Sequence, residues 1–198
     1  MTRSRASGGP PDLDALPRPT HGAPYRIVFV CTGNICRSPA AEVITRALAD
    51  ATVLADGSSL GARLRVTSAG TGPWHEGDPM DPRTAAALRR AGYADHPHIA
   101  QQVSLAQVQQ CDLIVALDRT HERALRRLCP QCSHLVLLRS FDASAGAASD
   151  VPDPYYGDEP EFDSCVKMIT DGCRGLVSTI ALLWDSLPSP DRPEWRVP

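Results

Sequence analysis

The sequence predicts an α/β fold of three layers: a four-stranded parallel sheet in the order 2-1-3-4, with helices on both faces. Three observations carry this. Short apolar runs alternate along the chain with segments of helical periodicity, the pattern of β-α-β units. The first run, Ile27-Val28-Phe29-Val30, is apolar at every position, as in a strand buried on both faces. Right-handed crossovers between successive parallel strands then make 2-1-3-4, a flavodoxin-like order, the natural topology.

In chain order, residues 25–30 form the first strand. A helix follows over 39–50, with Pro39 at its first position and apolar residues 40, 43, 44, 47 and 48 as its buried stripe. Residues 51–62, containing Asp56-Gly57-Ser58-Ser59, read as a surface connector. Polar and apolar residues alternate over 63–67, the second strand. Asp81 and Pro82 open the next helix as N-cap and first residue, and Gly92 closes it. A short helix covers 104–110 and the third strand 113–117. Asp118 caps a helix over 119–128, and 135–138 is the fourth strand. Residues 141–151 are a Gly/Ala/Ser loop. The last helix, 162–187, carries an apolar stripe running from Phe162 through Ile169 and Leu176 to Trp184 and Leu187. Gly172 and Gly175 lie inside it, each costing about 1 kcal/mol against alanine, so a kink or a close packing contact is expected there.

The turn between first strand and first helix is Cys31-Thr32-Gly33-Asn34-Ile35-Cys36-Arg37-Ser38. A turn of this size can wrap backbone N–H groups around one oxyanion. Gly33 allows close approach and unusual dihedrals. The helix that follows points its positive end into the same concavity. Arg37 adds a planar fork matched to two phosphate oxygens. Cys31 at the base of such a cradle is favoured as thiolate, and Ser38 can donate a hydroxyl hydrogen to it. In a doubly wound sheet, the carboxyl end of the first strand is also where ligands bind.

On these residues, and on Pro152-Asp153-Pro154-Tyr155-Tyr156-Gly157 further on, the chain resembles the low-molecular-weight protein tyrosine phosphatases over about 25–187. Thr32 in the loop resembles bacterial members, actinobacterial ones in particular. The resemblance implies a protein tyrosine phosphatase acting on tyrosine-phosphorylated proteins through a phosphocysteine intermediate, with no metal and no other cofactor. Cys31 would be the nucleophile, Arg37 the phosphate-binding cation, and Asp153, held on a segment stiffened by two prolines, the general acid and then base. Thr32, Gly33, Asn34, Ile35, Cys36 and Ser38 complete the phosphate loop. Ser68 would hydrogen-bond Asn34, and His98 would brace the same asparagine from a buried position, with His96 as a register alternative. Trp74, Tyr155 and Tyr156 would line the substrate cleft, while His75 reads as a surface residue and not a catalyst. The tyrosine pair is also implied as a target of a tyrosine kinase. Cys36 reads either as a disulfide partner of Cys31 under oxidation or as a small buried residue.

The resemblance leaves three rivals. A protein arginine phosphatase carries threonine where this chain has Ile35. An arsenate reductase needs two relay cysteines, which Cys129 with Cys132 or Cys165 with Cys173 fit poorly. A phosphotyrosine-binding module would not need Cys31, Arg37 and Asp153 together.

Composition bounds the rest. The 198 residues suit one domain, 42% hydrophobic, and the net charge of −3 gives no reason to expect nucleic acid or a membrane surface as partner. Residues 1–24, with five prolines, read as a disordered extension, and 188–198, with four, as a flexible tail, flanking a catalytic domain over 25–187. Seven cysteines do not suggest a disulfide framework, and the start of the chain lacks a signal-peptide core. A monomeric cytoplasmic protein with reduced thiols is expected, with export by a route that needs no signal peptide left open. Cys129-Pro130-Gln131-Cys132 remains as a redox pair or half of a zinc site.

Overall fold

The computed structural model describes residues 16–19, 23–147 and 150–187. Four strands, β1 (Tyr25–Cys31), β2 (Leu64–Gly70), β3 (Leu113–Ala116) and β4 (Leu135–Leu137), form one sheet in the order 2-1-3-4. Every pairing is parallel, and Cys31 at the end of β1 faces Gly70 at the end of β2. Among the described residues five α-helices accompany the sheet: α1 (Arg37–Ala51), α2 (Pro82–Arg90), α3 (Leu105–Gln110), α4 (Arg119–Leu128) and α5 (Glu159–Asp185).

Side chains of β1 alternate between two cores, as a pleated strand requires. Tyr25, Ile27, Phe29 and Cys31 pack with residues of α1, α2 and α5. Val28 and Val30 pack with Val108 of α3 and Leu125 of α4. Both faces of the central strand are therefore buried, which explains its unbroken apolar run.

The helices differ from expectation in instructive ways. α1 begins at Arg37, so Pro39 occupies its third position. That place is tolerated because the first four helical N–H groups have no intrahelical acceptor. Its buried face takes in Ala41, Thr45 and Ala49, while Ala47 is exposed. The face is rotated because α5 packs on it, where the Thr45 hydroxyl donates to Cys173 Sγ at 3.3 Å. Within α5, Gly172 and Gly175 make close packing contacts: a Cβ on Gly172 would lie 2.8 Å from Leu138 Cγ, and one on Gly175 would enter the Phe141 backbone. Both α2 and α4 start as expected, on the side chains of Asp81 and Asp118.

The connector over 51–62 is not a plain surface loop. Leu54 and Leu60 are buried, Val53 bridges to Ser59, and a 3-10 turn covers Leu60–Arg63. Most of the expected N-terminal extension, and all of the tail after residue 187, lie outside the described residues. Within the extension, however, Leu16 is buried and Pro17 accepts the Tyr25 hydroxyl hydrogen at 3.1 Å, so this part packs on the core.

The general expectation of reduced thiols does not hold for the Cys129-x-x-Cys132 pair, which the sequence leaves open as a redox pair or half of a zinc site. Cys129 and Cys132, brought to a Cα separation of 5.5 Å by a turn after α4, form a disulfide. As a bonded pair they offer no thiolate to zinc. The other five cysteines are free thiols. Among the described residues, no helix is long and apolar enough to cross a membrane.

Candidate active site

The turn at residues 31–38 sits where the strand order reverses, between β1 and its neighbours β2 and β3. Its shape is set from behind by Asn34, which is fully buried and has φ of 58°. Asparagine tolerates this left-handed conformation better than most residues. Asn34 Nδ2 donates to Ser38 Oγ at 2.9 Å and Ser68 Oγ at 3.0 Å. Its Oδ1 accepts from the Gln101 backbone N–H at 2.9 Å. His98 is half-buried, and its Nε2 lies 2.6 Å from the Asn34 backbone oxygen, so it holds the main chain and not the asparagine side chain. His96 is exposed. Ser68 passes its own hydroxyl hydrogen to Glu42 at 2.7 Å.

Gly33 does not have a left-handed φ, but the His75 side chain approaches it closely. A Cβ there would lie 2.7 Å from His75 Cδ2. Gly70 is packed as tightly, since its Cβ would lie 2.8 Å from the Thr32 carbonyl oxygen. With the turn shaped this way, the backbone N–H groups of residues 33–36 have no acceptor among the described residues.

Cys31 Sγ is buried, 3.0 Å from Ser38 Oγ. Ser38 also lies 3.2 Å from the Ala69 carbonyl. Its single hydroxyl hydrogen can therefore go to Ala69 when Cys31 is a thiol and to Sγ when Cys31 is a thiolate. Cys36 lines the same cleft, and burial pushes its thiol up to about 12. Burial does the same to Cys165 on α5, also to about 12.

Arg37 is buried, with a side chain 4% exposed. Nη1 donates to Asp118 Oδ2 at 2.9 Å and to the Val151 carbonyl at 3.1 Å. Nη2 donates to Thr32 Oγ1 at 3.1 Å and to Asp153 Oδ2 at 2.5 Å. Nε is buried without an acceptor among the described residues. Asp153 is half-exposed and comes from the segment between β4 and α5. A second arginine braces that segment: Arg83 pairs with Asp81 at 2.7 Å, donates to the Tyr155 carbonyl at 3.0 Å, and lies over the Tyr155 and Phe162 rings.

Cys31, Arg37 and Asp153 open into one cleft of about 280 Å³, whose floor includes Thr32, Gly33, Ile35 and Cys36. Trp74, His75, Tyr155 and Tyr156 line it further out. Trp74 is 72% exposed and Tyr156 is 97% exposed, while the two tyrosine rings meet edge to face at 5.0 Å. His75, partly exposed and tied to Asp78 at 2.9 Å, is part of the cleft wall. Asn34, Ser38, Ser68 and His98 stand behind the turn. Sequence reasoning missed Gln101, Arg83 and the dual role of Asp118, which caps α4 and anchors Arg37. The signal for Asp118 was its place at the carboxyl end of β3, beside the switch point. A groove of about 350 Å³ between α2 and α5 is larger. No thiol lines it, and its Arg90, Lys167 and Arg174 are paired with Asp163 or Asp171.

A buried thiol, an anchored guanidinium and a turn of unused N–H donors at the switch point of a parallel sheet are the parts of a cysteine-dependent phosphatase. Comparison with known proteins bears on the same point. The chain belongs to the low molecular weight phosphotyrosine protein phosphatase family, whose model matches residues 26–183. A low molecular weight protein-tyrosine-phosphatase of Streptomyces coelicolor is 46% identical over 160 residues, covering 79% of this chain and 93% of that protein. Low molecular weight protein-tyrosine phosphatase A of Mycobacterium tuberculosis is 45% identical over 155 residues, covering 77% and 90%. The crystal structure of YfkJ from Bacillus subtilis superposes with a TM-score of 0.71 at 36% identity, covering 81% of this chain and 97% of that one.

Proposed function

We propose that this family member hydrolyses phosphotyrosine in proteins, with Cys31 as nucleophile, Arg37 as phosphate-binding cation and Asp153 as general acid and base. The observation that carries the reading is the state of Arg37. Three of its four Nη hydrogens are fixed on protein acceptors, while Nε–H has none and the fourth Nη hydrogen is held by Asp153. A phosphate entering the cradle satisfies Nε–H and displaces the Asp153 carboxylate from Nη2. That releases Asp153 toward the leaving group as the substrate binds.

In the first step the Cys31 thiolate forms a bond to phosphorus and the phosphorus–phenol oxygen bond breaks. Asp153 in its acid form gives its proton to the departing oxygen. In the second, water attacks the phosphocysteine, Asp153 takes the water's proton, and the sulfur leaves as thiolate. The free N–H groups of residues 33–36 and Arg37 stabilise the equatorial oxygens through both steps. Ser38, by turning its hydroxyl to Sγ, stabilises the thiolate as attacking and leaving group. Ile35 on the floor and Trp74 with the tyrosines at the mouth favour an aromatic phosphoester. Tyr156, with its ring exposed, is the more accessible of the pair to a tyrosine kinase.

The test is steady-state hydrolysis of p-nitrophenyl phosphate, a phosphotyrosine peptide and a phosphoarginine peptide by wild type, Cys31→Ser and Asp153→Asn. Turnover of the phosphotyrosine peptide, abolished by the first substitution and lowered by the second, is expected. Preference for phosphoarginine, or full activity of Cys31→Ser, overturns the reading.

A further inference from the structure

Arg37 belongs to a closed circuit of side chains that includes one residue, His121, used by neither the loop motif nor the proposed chemistry. Arg37 Nη2 donates to Thr32 Oγ1, and Thr32 Oγ1 lies 2.9 Å from His121 Nε2. His121 Nδ1 lies 3.0 Å from Asp118 Oδ1, and Asp118 Oδ2 accepts from Arg37 Nη1. His121, in the first turn of α4, is 2% exposed. We infer that His121, acting through the Thr32 hydroxyl, is a positioning residue that fixes the plane of the Arg37 guanidinium for phosphate. The inference rests on the proposed phosphatase reading and adds a residue to it.

The direction of each hydrogen bond follows from counting hydrogens. Thr32 Oγ1 already accepts from Arg37, and its one hydrogen needs an acceptor. His121 Nε2 supplies it if the imidazole is neutral with its proton on Nδ1. That proton then points near Asp118 Oδ1, off the line of a good hydrogen bond, which leaves Nδ1 without a formal partner. Asp118 Oδ1 is occupied by the backbone N–H groups of Thr120 and His121. The opposite tautomer would bring two donors onto Thr32 and leave the hydroxyl hydrogen unplaced. Burial also keeps the ring neutral: it lowers the His121 value to about 4, against Asp118, which raises it, and with Arg37, which lowers it further.

The circuit matters because Arg37 must hold its fork in one orientation while Asp153 comes and goes. Asp118 and Val151 fix Nη1 alone, which leaves rotation about that end. Thr32 is the one acceptor on Nη2 that stays when substrate displaces Asp153. Thr32 alone is a free rotor, and its bond to His121, held on a helix, stops the rotation. A misplacement of this kind lowers transition-state binding more than ground-state affinity.

The experiment uses the full chain and four variants: Thr32→Val, Thr32→Ser, His121→Phe and Thr32→Val with His121→Phe. Each is measured for kcat and KM on p-nitrophenyl phosphate, for inorganic phosphate affinity by calorimetry, and for thermal unfolding. Thr32→Val and His121→Phe are each expected to lower kcat/KM about tenfold, the effect of one misaligned hydrogen bond to a charged donor. Phosphate affinity falls in the same order, and Thr32→Ser recovers most of what valine loses. The double variant is no worse than Thr32→Val alone, because that substitution already breaks the link that His121→Phe removes. Losses that multiply in the double overturn the inference, as does a fall in thermal stability with kcat/KM and phosphate affinity unchanged. If His121→Phe does not fold, the contrast of valine with serine at position 32 decides alone. If wild type does not hydrolyse the ester at all, the phosphatase reading falls, and phosphate affinity still tests the circuit.

Discussion

Replacing Asn34 by alanine separates two effects that the structure combines at one residue. The first is conformational: with φ of 58°, alanine suffers a left-handed penalty of roughly 1–2 kcal/mol that asparagine largely escapes. The second is polar. The side chain gives three hydrogen bonds, but the losses are unequal. Ser38 keeps Ala69 and Ser68 keeps Glu42, whereas the Gln101 N–H has no second acceptor. The Gln101 N–H is part-buried, so losing its acceptor costs toward the low end of the roughly 1–3 kcal/mol of an orphaned donor. The sum for Asn34→Ala is about 2–3 kcal/mol. Asn34→Gly loses the same hydrogen bonds but accepts the dihedral, so it should be less destabilised than alanine, by about 1 kcal/mol after its larger unfolded-state entropy is counted. Urea unfolding of the three proteins measures both quantities. Kinetics at a temperature where all are folded should show kcat reduced in both variants, since the N–H cradle depends on this residue. Alanine as stable as wild type, or glycine no better than alanine, refutes the assignment of strain to this position.

Two further outcomes follow from the geometry. His121 is held neutral at pH 7 with its value lowered to about 4, whereas an unfolded chain binds that proton below about 6.5. The unfolded state therefore takes up more protons in that window, so the contribution of His121 is fully present above it and is lost as pH falls from about 6.5 toward 4; comparing the pH slope of unfolding free energy in wild type and His121→Phe isolates it. Gly175→Ala drives a methyl group into the Phe141 backbone, which cannot yield as a side chain would, and thermal unfolding should show a loss of about 2 kcal/mol or more despite alanine's better helix propensity.

The parts of this molecule visible in its sequence are those governed by local rules. The unbroken apolar run at 27–30 announces a doubly covered strand, and β1 is one. Asp81-Pro82 and Asp118 announce helix starts by capping chemistry, and both helices start there. The Cys31–Ser38 turn is legible because its chemistry is packed into eight consecutive residues. What escaped is non-local. The anchor of Arg37 on Asp118 and Val151 joins residues 81 and 114 positions away, and no spacing rule reaches that far. Gln101 contributes its backbone N–H, which leaves no trace in residue type. Of the two properties expected of Gly33, the structure uses the close approach, to the His75 ring, while the left-handed residue is Asn34. The rotation of the α1 face was hidden for a similar reason, because a periodicity count on one helix cannot know that α5 covers its other side.

The most direct test of the account is to look for phosphorus on Cys31. Asp153→Asn, mixed with p-nitrophenyl phosphate and quenched in acid within a single turnover, should release a burst of nitrophenol. This leaving group departs without a proton donor, while the second step has lost its base. Peptide mapping of the quenched protein should then find phosphate on the fragment containing Cys31, and none on that fragment from Cys31→Ser. A burst with phosphate on another residue, or hydrolysis with no phosphoprotein at any time, would contradict the claim that Cys31 is the nucleophile.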